Sequence, residues 1–478
     1  PSLPFWRVFP SSFLDRDIEL TTSTTSSSIV NPFGAGRLTI TRMRSSIGMF
    51  HNLSRRIGSS SVASHYHHGN ALRAYYHELS YVKHGEPIQV LEYHATSTND
   101  DGASLKQQQQ QQQQEEDANL STLIEMIHVP WNPADVNTVQ GRYASPYQNT
   151  SNSTLAIPKY NASSYFLDRT VAGSEGWGRV VTSPTLAPGS LVTVGTPGLG
   201  TLRSSQWVAS DQVLSVPEAL WESLGPAGST LFQLGGTAWR MLSDFVPLQP
   251  GHVVLQNAGN SGVGAMVSQL SRAMASHANN ANHTSSSSSS HSIPTVSLVR
   301  RGSKSISEMD ELFEYLIETA KNALVLVEED LQENTDPDYL RQVQDQLRDL
   351  SSNGQLPPLA LNAVGGQSAK TLLRLLEHNG TLVTYGGMSG QPVTLGTPQL
   401  IFKNLHSHGY WHSRWMVQHS LTEKQDLIHA LAQAVLTQGV KCPPCQVFTL
   451  SQVQEALEWQ ADQKDPIRSK LVFDCRIY

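Results

Sequence analysis

The residues most able to do chemistry form a glycine-rich turn, Ala258-Gly259-Asn260-Ser261-Gly262-Val263-Gly264. An apolar run at 252–257 leads into it, and apolar residues then recur at Val263, Val267, Leu270 and Met274. The spacing predicts a strand, a turn and a helix with one buried face. Such a turn lets backbone N–H groups and the positive end of the helix approach a pyrophosphate. Ser261 stands where the usual pattern has its second glycine, and tight helix–strand packing is the plain alternative. The next apolar run, Thr295-Val-Ser-Leu-Val299, ends at Arg300 and Arg301. Gly264 and Arg300 are 36 positions apart, and 20 remain once the 16-residue serine-rich stretch 277–292 is set aside. That is the distance, about 20, at which a ribose-reading residue follows the turn. An acidic side chain there would bind a ribose 2′-hydroxyl, whereas two arginines suit a 2′-phosphate through charge-assisted hydrogen bonds. The sequence therefore predicts NADPH rather than NADH, with a solvated arginine pair as the bland alternative.

Two further apolar runs end in glycines. The run 359–364 leads into Gly365-Gly366, and the run 380–385 into Tyr385-Gly386-Gly387-Met388. Glycines at the carboxyl ends of successive parallel strands mark where a ligand crosses a sheet. Cys442-Pro-Pro-Cys445 has redox-motif spacing but precedes a strand instead of opening a helix, so a redox role is not favoured.

The elements that must position these residues follow from period and punctuation. Short runs at 87–94, 121–129, 172–182 and 189–195, separated by glycines, predict a small β-barrel. After about residue 216, strands at 252–257, 295–300, 323–328, 359–364 and 380–385 alternate with helical stretches, which predicts a parallel α/β sheet. The expected organisation is a leader at 1–80, a β-barrel at 81–225 with a polyglutamine insert at 99–118, and a doubly wound sheet at 226–411 with the serine-rich insert. Residues 412–478 then return to the barrel. The inserts are too polar to offset their ordering entropy and are read as solvated loops.

Composition bounds the partners. Over 478 residues, 38% are hydrophobic and the net charge is −7, so a large core is available and general nucleic-acid binding is disfavoured. No run of about eighteen apolar residues predicts a membrane-spanning helix. Between Leu20 and His77 there is no acidic residue, while Arg37, Arg42, Arg44, Arg55, Arg56 and Arg73 are interspersed with Ser and Thr. That is the pattern of an organellar transit peptide, mitochondrial or plastid, and Met49 is a candidate initiator.

Several ordered stretches now carry a resemblance. Asn132-Pro-Ala-Asp-Val-Asn-Thr-Val-Gln-Gly-Arg-Tyr143, Gly198-Leu-Gly-Thr201 and Asn257-Ala-Gly-Asn-Ser-Gly-Val-Gly264 come first. Leu359-Ala-Leu-Asn-Ala-Val-Gly-Gly366, Val383-Thr-Tyr-Gly-Gly-Met388, and Leu400-Ile-Phe-Lys403 with Gly409-Tyr-Trp411 complete the set. From about residue 87 onward the chain resembles the zinc-free mitochondrial trans-2-enoyl-CoA (enoyl-thioester) reductases of the medium-chain dehydrogenase/reductase superfamily. The resemblance implies a GroES-like β-barrel catalytic domain with a Rossmann domain. It also implies NADPH as cofactor, an enoyl-CoA or enoyl-acyl-carrier-protein substrate, and a homodimer. It makes Tyr143 the proton donor, with Trp411 orienting it or lining the acyl pocket. Asn260, Ser261, Gly262, Val263, Arg300, Tyr385, Gly386, Gly387, Met388, Tyr410, Trp411 and Lys470 are the implied cofactor neighbours, with Arg301 standing in for a second arginine that Gly302 replaces.

Departures accompany the match. Gln233-Leu-Gly-Gly236 replaces the usual Gly-x-Asn-Pro, and Leu202 replaces a tryptophan after Gly198-Leu-Gly-Thr201. Zinc relatives in the superfamily carry Gly-His-Glu in the barrel, where this chain has Gly173-Ser174-Glu175-Gly176. With no cysteine before Cys442, no zinc site is expected. The rival expectations are a zinc-free quinone or enone reductase and a nucleotide-binding regulatory protein without turnover.

Overall fold

Tyr75-Tyr-His-Glu-Leu-Ser-Tyr81 opens the part of the chain described by the computed structural model, which covers residues 75–97, 121–142, 169–281, 293–334, 336–463 and 465–476. It forms β1 (Tyr75–Tyr81), although residues up to 80 were expected to be leader. Three tyrosines favour extended backbone, and fully buried Leu79 anchors the strand in the core. The remainder of the leader with Met49, the polyglutamine run and Tyr143 lie outside the described residues.

A strand was also expected across 87–94. Instead Pro87 opens a single helical turn, α1 (Pro87–Val90), before β2 (Glu92–Ser97). Proline's fixed φ suits the first helical position and its missing N–H costs nothing there. Next come β3 (Ser121–Pro130), α2 (Pro133–Val139), β4 (Thr170–Val171), β5 (Trp177–Thr182), β6 (Leu191–Val194), β7 (Ser205–Ala209) and β8 (Val213–Ser215). Two antiparallel systems result. β1 lies between β2 and β4, while β3 pairs with both β5 and β7 and the ladder continues through β6 to β8. Leu79, Ile124, Met126, Trp131, Val192 and Leu202 fill the core beneath them.

The second half begins with α3 (Glu218–Leu224) and α4 (Leu231–Ser243). It continues through β9 (Val254–Asn257), α5 (Gly262–Ala281), β10 (Thr295–Val299), α6 (Ile306–Glu314), β11 (Leu324–Val327), α7 (Glu328–Glu333) and α8 (Pro337–Leu350). β12 (Leu359–Asn362), α9 (Gly366–Leu375), β13 (Thr381–Thr384), α10 (Thr397–Ile401) and β14 (His406–Gly409) complete it. All six strands are parallel, in the order β11-β10-β9-β12-β13-β14. Chain order reverses between β9 and β12, and ligands of such sheets bind beyond the carboxyl ends at that point. Alternate residues face opposite layers: Val254, Leu361 and Val383 join one core with Met266 and Leu270, and Leu255, Ala360 and Leu382 join the other with Leu347 and Leu372. Helix α5 runs on to Ala281, so the stretch read as an insert from 277 begins as helix.

After α11 (His412–Gln418) and α12 (Leu421–Gln438) the chain returns to the first sheet. There β15 (Cys445–Thr449), α13 (Val453–Asp462) and β16 (Lys470–Asp474) follow, with β16 antiparallel to β3. No helix of the described residues is long and apolar enough to cross a membrane.

Candidate active site

The floor of the crevice is a buried amide network at the reversal of strand order. Asn257 Nδ2 donates to Asn362 Oδ1 and Ser368 Oγ, both at 2.8 Å, while Asn257 Oδ1 accepts from the Ala363 N–H at 2.7 Å. Asn362 Oδ1 also accepts from the Gly365 N–H at 3.0 Å. These bonds tie the ends of β9 and β12 together and fix the loops that rise from them.

Above the floor lies the glycine-rich turn. Ser261, where the motif usually has glycine, stands at the N-cap of α5, and its Oγ accepts from the Gly264 N–H at 3.1 Å. Gly264 admits no side chain: an added Cβ would stand 2.6 Å from Ala258 O and 2.7 Å from Gly259 O. Lys470, at the start of β16, crosses this helix end so closely that a Cβ on Gly262 would meet Lys470 Cε at 2.8 Å and Nζ at 3.3 Å. A cation is thus held over a positive helix terminus, an arrangement that an anion between them would relieve.

The neighbouring loops are brought alongside. The Tyr385 N–H donates to Asn362 O and the Met388 N–H to Ala363 O, each at 3.0 Å, and the Tyr410 N–H donates to Thr384 O at 2.9 Å. Burial pushes the Tyr385 phenol above its ordinary range, opposed by neighbouring Ser261. Met388 is exposed. Trp411 caps α11, with the Arg414 guanidinium 5.5 Å from its ring. Tyr410 Oη and His412 Nδ1 are 2.8 Å apart. The departure at 233–236 has a structural reason here, because a Cβ on Gly236 would meet His412 Cε1 at 2.7 Å. Losing the side chain at Gly236 makes room for the buried imidazole.

Arg300 and Arg301 both follow β10 and are exposed, but they differ in company. Arg301 Nη2 pairs with Asp330 Oδ1 at 2.5 Å, and the N–H groups of Arg301 and Gly302 donate to Glu329 at 2.9 and 3.0 Å. Arg300 faces the buried Glu328, whose carboxyl burial raises.

In the barrel half, helix α2 ends at Val139, and Tyr143 lies outside the described residues. The helix start is fixed by Asp135, which accepts from the Asn132 N–H at 2.8 Å and from Ser174 Oγ at 2.7 Å. Glu175, only 2% exposed, accepts from Asn132 Nδ2 at 2.8 Å and from the Gln233 N–H at 3.0 Å. Burial pushes the Glu175 carboxyl up to about 8; the Asn132 bond opposes this, nearby Asp135 adds to it, and the Gln233 N–H and Lys470 oppose it. Burial likewise lifts Asp135 to about 6, against its bonds from Ser174 and the backbone. The Lys470 ammonium is lowered by burial and supported by Glu175.

Asn132-Pro-Ala-Asp135 carried a local signal for this arrangement, since Asn followed three residues later by an acid is a capping pattern. Nothing local marks Glu175, whose partners are 43 and 58 positions away. Among the described residues no group of three or more His, Cys, Asp or Glu side chains could hold a metal ion. Cys442 and Cys445 are free thiols, and burial pushes Cys442 up to about 12 despite a bond with Thr230.

No family model matches the chain. It is 31% identical over 399 residues to the mitochondrial enoyl-[acyl-carrier-protein] reductase of Mus musculus, covering 82% of this chain and 87% of that one. The Homo sapiens protein of the same name is 30% identical over 438 residues, 91% and 98% of the two chains, and that of Dictyostelium discoideum 36% over 325, or 66% and 75%. Among solved structures, the mitochondrial 2-enoyl thioester reductase heterodimer of Candida tropicalis superposes with a TM-score of 0.63 at 23% identity, over 84% of this chain and all of that one. A putative NADPH:quinone reductase of Bacillus thuringiensis gives 0.58 at 17%, over 84% and 99%. These structures share the two-part fold, a GroES-like barrel with a Rossmann sheet. The broad match to the curated relatives, with the glycine-rich turn and the paired glycine loops in place, shows that the chain belongs to the family of mitochondrial enoyl-[acyl-carrier-protein] reductases.

Proposed function

We propose that this chain reduces trans-2-enoyl thioesters with NADPH in the mitochondrial matrix, as the last reduction of organellar fatty-acid synthesis. One observation carries the reading: Lys470 lies across the N-terminus of α5 at the point where the sheet reverses. A dinucleotide pyrophosphate matches that pair of positive groups. The curated relatives bear the enoyl-[acyl-carrier-protein] reductase name, and one solved neighbour is a complex with NADP and crotonyl-CoA.

The residues fit NADPH. Asn260, Ser261, Gly262 and Val263 supply the turn, Lys470 the cation, and exposed Arg300 the donor for a 2′-phosphate. Tyr385, Gly386, Gly387, Met388 and Tyr410 line the neighbouring strand ends. Bound NADPH supplies a hydride to C3 of the thioester. Negative charge then develops on the thioester oxygen, and one well-placed donor there is worth about 3 kcal/mol. Tyr143 is assigned as the acid that returns a proton to C2. A phenol with an ordinary pKa of about 10 stays protonated at neutral pH and can give that proton up to an enolate. Trp411 is assigned to orienting Tyr143 or walling the acyl pocket.

Two copies pair in this reading through β14, whose four residues are all exposed at the edge of the sheet, beside exposed Leu400, Ile401 and Phe402. The test of activity is NADPH absorbance with trans-2-hexenoyl-CoA, a hexenoyl-acyl-carrier protein and a quinone, for the parent and Tyr143→Phe. Thioester-dependent oxidation that largely disappears in the variant supports the assignment. Oxidation by quinone alone, unaffected by the variant, refutes it.

A further inference from the structure

The loop after β10 carries a third cation beyond its two arginines. Strand register pairs Leu298 with Asn257, so Arg300 stands beside the glycine-rich turn. That turn lies against β10 so tightly that a Cβ on Gly259 would be 2.3 Å from both Ser297 Cβ and Oγ. A dinucleotide seated on the turn therefore reaches the carboxyl end of β10. A phosphate monoester there carries about 1.5–2 negative charges at neutral pH, more than the single exposed guanidinium of Arg300 balances.

Arg301 does not supply the second cation. Its guanidinium is bonded to Asp330, and its N–H and that of Gly302 are taken by Glu329. Lys304 is brought back instead. Gly302 sits in the left-handed region at φ +55°, and the Lys304 N–H donates to Arg301 O at 3.2 Å, closing a turn over residues 301–304. The reversal lays the half-buried Lys304 side chain against the loop, where Nζ donates to Arg300 O at 3.3 Å and Arg301 O at 3.5 Å. Both are long bonds to neutral acceptors, and an ammonium has a third donor to give. The acids around the two cations are bonded elsewhere. Glu308, whose charge feels Lys304, accepts from the Ser305 N–H and hydroxyl, each at 2.7 Å. Glu328, which faces Arg300, accepts from Gln332 Nε2 at 2.6 Å and from Ser368.

We propose that Lys304 is a specificity-determining residue for the cofactor, its ammonium forming with the Arg300 guanidinium a two-cation clamp for the ribose 2′-phosphate of NADPH, while Arg301 only fastens the loop to α7. This rests on the NADPH part of the reading above and not on its thioester part.

Fluorescence titrations of the full chain with NADPH and NADH, and competition by adenosine 2′,5′-bisphosphate and by 5′-AMP, test it. Lys304→Met keeps the apolar stem and removes the charge and the donors. Its Kd for NADPH and for the bisphosphate should rise about 5- to 20-fold, the effect of one charge-assisted bond at a partly exposed position. NADH and 5′-AMP should bind as they do to the parent, which also shows the fold to be intact. Lys304→Arg should retain the preference for the 2′-phosphate, and Arg301→Ala should lose less of it than Lys304→Met. Parental NADPH affinity in Lys304→Met would overturn the proposal. So would equal losses for NADPH and NADH, or a loss in Arg301→Ala as large as in Lys304→Met. A parent that binds NADPH no better than NADH removes the 2′-phosphate clamp outright. A parent that prefers NADPH but reduces no enoyl thioester removes the functional reading and leaves the clamp standing.

Discussion

Replacing Gly264 by alanine isolates the glycine-rich turn from the rest of the site. The added Cβ would lie 2.6 Å from Ala258 O, 2.7 Å from Gly259 O and 2.8 Å from Gly259 Cα, all backbone atoms of the turn itself. Relief requires the turn to shift outward by about half an ångström, since no flexible side chain can yield. Overpacking of this kind costs about 1–3 kcal/mol, and at about 2.1 cal/mol/K of unfolding entropy per residue the melting temperature of a chain this long falls by only about 1 °C per kcal/mol. Displaced N–H groups no longer face the pyrophosphate, so NADPH Kd rises about 10- to 100-fold, the equivalent of ~1.4–2.7 kcal/mol. Gly262→Ala is the contrast. Its Cβ meets only the ends of Lys470 and Leu234, at 2.8 and 2.9 Å, so the melting temperature holds while Lys470 swings aside and affinity drops. Fluorescence titration with NADPH and thermal melts of both variants check this. A Gly264→Ala protein with parental affinity and melting temperature would refute the placement of the cofactor on this turn.

Three further outcomes follow from the same geometry. Arg300→Ala weakens NADPH by about 10- to 100-fold through loss of charge-assisted bonds and leaves NADH unchanged; Arg301→Ala, whose guanidinium is committed to Asp330, costs less, and equal losses in parallel titrations would contradict the division of roles. Burial holds the His412 imidazole down to about 3, so it folds neutral, and the stability this gives is complete above the ordinary histidine pKa and lost progressively as pH falls from there toward about 3. Denaturant titrations of the parent and His412→Leu should therefore converge below pH 6.5 by about 1.4 kcal/mol per pH unit, and a pH-independent difference would rule this out. Cys442 and Cys445 carry thiols raised by burial, so iodoacetamide labels the native protein slowly and all three cysteines once unfolded; a native Cys442–Cys445 disulfide would show the redox spacing to be functional after all.

Legibility in the sequence followed the range of the interactions. The parallel sheet was readable because its inner strands are short, mostly apolar stretches alternating with helical ones, and β9, β10, β11, β12 and β13 all fall where strands were expected. β14 was not, since His406-Ser-His-Gly409 is an exposed edge without an apolar residue and is a strand only because β13 offers it a ladder. The small strand β1 was absorbed into the acid-poor leader because composition averages over long windows. Within the site, the glycine-rich turn between β9 and α5 and the arginines after β10 are local in sequence, and the structure places them at those strand ends. The Asn132–Glu175–Gln233 bridge exists only once barrel and sheet are assembled, so no spacing announces it. The exchange of Pro for Gly236 had the same character: the sequence showed the loss, and only packing against His412 supplies its reason.

The central claim is the direction of hydride and proton addition, and isotope labelling tests it most directly. Reduction of trans-2-hexenoyl-CoA with NADPH carrying deuterium at both C4 positions should place one deuterium at C3 of the product, and reduction with ordinary NADPH in heavy water should place one at C2. Loss of the C2 label in step with turnover in Tyr143→Phe would complete the account. Turnover of NADPH without deuterium at C3 would contradict it.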